Sequence, residues 1–114
     1  MTEFLHDIPA EPAPWRDLVL VCRKCSAKLD GKHFGPDGDL TLRETLKIYI
    51  RECGLKGIVR AVETDCLDLC PEGAVSVMRI AAPDQIVPVP PGSTPVAVLE
   101  RLGVIPAGAP AAAP

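Results

Sequence analysis

Apolar positions along this chain repeat with two different periods, and each change of period marks an element. Residues 17–21, DLVLV, are a nearly all-apolar run of β-favouring residues, as in a central strand covered on both faces, and Cys22 closes it. Residues 26–39, SAKLDGKHFGPDGD, break the run with three glycines and a proline. They predict a flexible loop with at most one helical turn near 27–29. The period then lengthens over residues 41–53, where Leu42, Leu46, Tyr49, Ile50 and Cys53 share one helical stripe. Thr41 and Glu44 stand at capping-box spacing, and Gly54 follows as terminator. Residues 57–63 (GIVRAVE) read as a second strand, 64–73 as a loop and 74–80 (AVSVMRI) as a third strand with partial alternation. After a turn at 82–84 comes QIVPV, whose Pro88 cannot donate to a ladder and so belongs on an edge strand. The last helix takes Ser93 or Thr94 as N-cap, Pro95 at its first position, Val96, Leu99 and Leu102 on its core face and Gly103 as its end. This order predicts an α/β fold: a parallel strand-helix-strand unit, a hairpin and a final helix, giving a four-stranded mixed sheet with helices packed on it.

The flanks have neither period. Residues 1–16, with Pro9, Pro12 and Pro14, read as an extended arm that Trp15 anchors to the domain, residues 17–103 as the domain and residues 104–114 as a disordered Ala/Pro tail. A length of 114 residues suits one domain, and an aromatic content of 4% requires an aliphatic core. The net charge of −3 gives no footprint for nucleic acid and no polybasic patch for a membrane. The N-terminal stretch has acids and prolines where an export signal needs a basic and then an apolar region. A cytoplasmic, reducing location is the expectation, in which paired cysteines more often serve metal or redox chemistry than a structural disulfide.

Four of the five cysteines form two close pairs, Cys22 with Cys25 and Cys66 with Cys70, in the pattern C-x2-C-x40-C-x3-C. Two such pairs are what a four-thiolate site requires. Both leave the C-terminal ends of the two predicted parallel strands, where α/β sheets carry their sites. A binuclear iron–sulfur cluster with four thiolates has a double negative charge when oxidised, and backbone N–H groups in a glycine-containing loop such as DCLDLCPEG can offset it. Arg23 and Lys24 add positive charge that should depress the thiol pKa values. Zinc would accept the same thiolates, and Cys22 with Cys25 could also act alone as a dithiol; the C-x3-C pair on a β-to-β loop suits a binuclear cluster better.

The segment LVLVCRKC and, farther on, TDCLDLCPEGAVSVM resemble the thioredoxin-like [2Fe-2S] ferredoxin family over residues 17–103, with a helix between the pairs and a closing hairpin and helix. The first pair is more closely spaced than is usual in that family. The resemblance implies a reduced thioredoxin-like fold, a [2Fe-2S] cluster with Cys22 and Cys25 on one iron and Cys66 and Cys70 on the other, single-electron transfer between redox protein partners, and no catalytic residue. It admits a homodimer. Alternatives are a thiol-disulfide redox protein using Cys22 and Cys25, and a zinc- or cluster-bearing regulatory binding protein. Cys53 continues the helix stripe and reads as a small core hydrophobe; His33 and His6 read as solvated. Asp65, Asp68, Glu63 and Glu72 surround the second pair, either as a solvated rim or as an acidic face that steers a basic partner. No P-loop, G-x-S-x-G, H-E-x-x-H or dinucleotide fingerprint occurs.

Overall fold

A computed structural model describes residues 6–69 and 71–106. Residues 1–5 of the arm, Cys70 and residues 107–114 of the tail lie outside the described residues. The elements follow as β1 (Asp17–Cys22), α1 (Arg23–Lys28), α2 (Leu42–Glu52), β2 (Val59–Thr64), β3 (Val75–Arg79), β4 (Ile86–Val89) and α3 (Pro95–Leu102). β1 and β2 pair in parallel across the α2 connection; β3 runs antiparallel to β1, and β4 antiparallel to β3. The strand order is β2-β1-β3-β4, an open mixed sheet with Pro88 on its edge strand as its missing N–H demands.

Alternation decides which face is covered. Val19 and Val21 of β1, Val59 and Ala61 of β2 and Val75 and Val77 of β3 are buried in one cluster with Leu42, Leu46 and Ile50 of α2 and Leu99 of α3. Each such aliphatic side chain taken out of water contributes about 1.5–3 kcal/mol. On the opposite face Leu18, Leu20, Val62 and Met78 are only half-buried, so β1 is central in the sheet but not sealed on both sides. The reason is topological: α2 and α3 touch each other and share one side, while α1 packs against β3.

Local chemistry fixes the helix ends. Thr41 Oγ1 accepts from the Glu44 N–H at 3.0 Å, and Glu44 returns the bond by accepting from the Thr41 N–H at 2.9 Å. Thr94 caps α3 with Pro95 in its first turn, and Gly103 ends it at φ 80°, a left-handed position that suits glycine. Residues 29–40 are more ordered than their glycines suggest: Phe34 is buried, and Phe34 and Leu40 exchange backbone hydrogen bonds of 3.1 and 3.0 Å. At the start of the sheet the Arg16 and Asp17 N–H groups donate to Ile58 O, and the Arg60 guanidinium lies 4.8 Å from the centre of the Trp15 ring. Trp15 thus fastens the arm where it meets β2. No helix among the described residues is long and apolar enough to cross a membrane.

Candidate metal centre

The parallel register brings the two cysteine loops together. Cys22, the last residue of β1, stands opposite Thr64, the last of β2, so Cys66 lies two positions past Cys22's partner. Both chains leave the sheet at the same end. The Lys24 N–H donates to Asp65 O at 3.4 Å, and the Arg23 and Asp65 side chains form an ion pair across the gap. Both members of that pair are well exposed, so it positions the loops more than it stabilises them.

α1 begins at Arg23, inside the first cysteine pair, rather than near 27–29 as the sequence suggests. Its N-cap is Cys22, whose sulfur accepts from the Cys25 N–H at 3.5 Å. A thiol in place of the usual Ser, Thr, Asp or Asn hides the start signal, and six residues are too few for a readable stripe. Cys22 and Cys25 are 0% and 1% exposed. The Cys22 thiol points to Asp65 O at 3.9 Å, and the Cys25 thiol lies 3.9 Å from both Leu69 O and Ser76 Oγ. Both sulfurs of the first pair therefore face the backbone of the second loop.

Burial pushes the Cys22 thiol up. Hydrogen bonds from the Cys25 backbone and side chain and from the Leu67 and Lys24 N–H groups outweigh that and leave it below its ordinary value. N–H donors thus do what the sequence assigns to the charges of Arg23 and Lys24. A donor also serves the second loop: the Asp68 N–H reaches Cys66 Sγ at 3.3 Å, with Asp68 held in the left-handed region at φ 60°. Asp is among the few non-glycine residues that visit that region readily. Gly73, at φ 66°, turns the chain into β3 with open space beside it.

Ser76 is the site residue that the sequence conceals. It alternates with Val75 and Val77 and so lies on the other face of β3, yet it is 0% exposed. Its hydroxyl donates to Leu69 O at 2.7 Å, tying the second loop to the sheet beside Cys25. A polar residue amid valines was the only signal of it. Cys53 is half-buried at the C-cap of α2, away from this mouth, next to Tyr49. Burial pushes the Tyr49 phenol up, and the hydrogen-bonded Cys53 pushes it further. His33 and His6 are exposed.

Among the described residues no three His, Cys, Asp or Glu side chains are grouped so as to hold one metal ion. Cys70, the fourth thiol of the pattern, lies outside them. The donor set fits an iron–sulfur group in its chemistry: three described thiols on two abutting loops, with backbone N–H donors at two of the sulfurs. Comparison of the chain with family models, with curated proteins and with solved structures gives no match.

Proposed function

We propose that this chain is a thioredoxin-like [2Fe-2S] ferredoxin, a cytoplasmic carrier that passes single electrons between redox protein partners. The observation that carries the reading is the Cys22–Thr64 register, which delivers both cysteine loops to one end of the sheet with the sulfurs of Cys22 and Cys25 against the second loop. Cys22 and Cys25 would hold one iron, and Cys66 and Cys70 the other. When bound, the cluster supplies a one-electron redox couple whose potential depends on hydrogen bonds to sulfur and on solvent exposure. The N–H groups of Cys25 and Asp68, already directed at Cys22 and Cys66, offset negative charge on those sulfurs. The exposed Asp65, Asp68 and Glu72 form a rim suited to a basic partner. No general acid or base is needed, and the function asks only that the mouth hold its shape.

One observation favours a dithiol enzyme instead: Cys22 caps a helix and has a lowered thiol pKa. Against it, an attacking thiolate must reach its target disulfide, and both thiols of the pair are buried. Anaerobically purified protein decides between the two. The carrier reading expects visible charge-transfer bands with about two irons and two acid-labile sulfides per chain. Cys66→Ser and Cys70→Ser should bleach the bands, and Cys53→Ala should leave them intact. Colourless protein that reduces a disulfide substrate would overturn the carrier reading in favour of the dithiol; a colourless Cys53→Ala variant would overturn the ligand assignment.

A further inference from the structure

The chain carries a net charge of −3, yet five of its 12 lysines and arginines line one groove. Arg43, Lys47 and Arg51 project from α2 at a spacing of four, while Lys56 and Arg60 close the far side, and no Asp or Glu among the described residues lines it. The groove holds about 510 Å³ and runs along β2, one of the two outer strands of the sheet. None of the five cations has an ion-pair partner among the described residues, and Arg43 Nε–H is buried without an acceptor. Ile50, Val59 and Ala61 make an apolar floor.

We infer that this groove docks an extended acidic polypeptide segment, which pairs as an added strand on the edge of β2 that has no neighbouring strand among the described residues. Outer strands present unpaired backbone N–H and C=O groups, and strand addition is an established way of using them. The six residues of β2 accommodate a segment of about 20 Å. Charge complementarity selects acidic side chains, and the apolar floor takes the alternate positions. Nucleic acid fits less well: among the described residues no aromatic side chain lines the groove for bases to stack on, and the overall negative charge repels a long polyanion.

The inference is independent of what the cysteines hold, so its test can fail alone. A fluorescein-labelled peptide alternating Glu and Val is titrated against the full chain by anisotropy, beside a Lys–Val peptide and a single-stranded oligonucleotide of equal negative charge. The acidic peptide should bind, weaken as salt rises and slow amide exchange in β2. Its affinity should fall about tenfold in the Lys47→Glu/Arg51→Glu double variant and stay unchanged in Lys32→Glu. Circular dichroism checks that the variants fold; should the double variant unfold, salt dependence and amide exchange on the parent chain still decide. Absence of binding, equal binding by the oligonucleotide or the Lys–Val peptide, or unprotected β2 amides would each overturn the proposal.

Discussion

Ser76 holds the second cysteine loop to the sheet through one hydroxyl, which donates to Leu69 O at 2.7 Å. Replacing it by Ala removes that bond and leaves the Cys25 thiol, at 3.9 Å, as the donor near Leu69 O, so Ser76→Ala should lower stability by about 1 kcal/mol in urea denaturation. Amide exchange should quicken in residues 65–69 while the pairing of β3 with β4 is kept. This residue was not legible as part of the site. In sequence it is only a serine between two valines, whereas its partner arrives from a loop whose path depends on Asp68 adopting a positive φ. The meeting of the two cysteine loops was legible, because both leave the C-terminal ends of the parallel strands that the pattern predicts.

At the scale of elements, α2 shows why some helices are readable. Its start is written in side chains, Thr41 and Glu44, and its face in the stripe of Leu42, Leu46, Tyr49 and Ile50, all buried as the period requires. Thr41→Ala removes one arm of the capping box and should cost about 1 kcal/mol, read as a lower urea midpoint with unchanged slope. For α1 the pattern predicts at most one helical turn near 27–29, because its cap is a sulfur and glycines follow within a few residues. The loop after it contains Phe34, whose burial orders a stretch that composition alone labels flexible. Strand edges shifted by only a residue or two, since alternation fades where β2 and β3 run into turns.

Across the whole molecule, Arg79 joins the beginning of the sheet to the end of α3. Arg79 of β3 pairs with Asp17 of β1, and its Nη1 lies 3.5 Å from Leu102 O at the end of α3. Asp17 is nearly buried, and its other oxygen accepts from the Leu18 N–H at 2.9 Å. Asp17→Ala should therefore cost about 2 kcal/mol, because it leaves a half-buried guanidinium with a carbonyl as its remaining acceptor. Chemical denaturation followed by circular dichroism measures this. The sequence marked Asp17 only as the polar boundary of a strand, since its partner is 62 positions away.

The chain has a single tryptophan, and that residue rests on Arg60, one of the cations of the β2 groove. Its indole emission is thus a built-in optical gauge, sensitive to occupancy of that surface and to detachment of the leading segment, and it needs no dye.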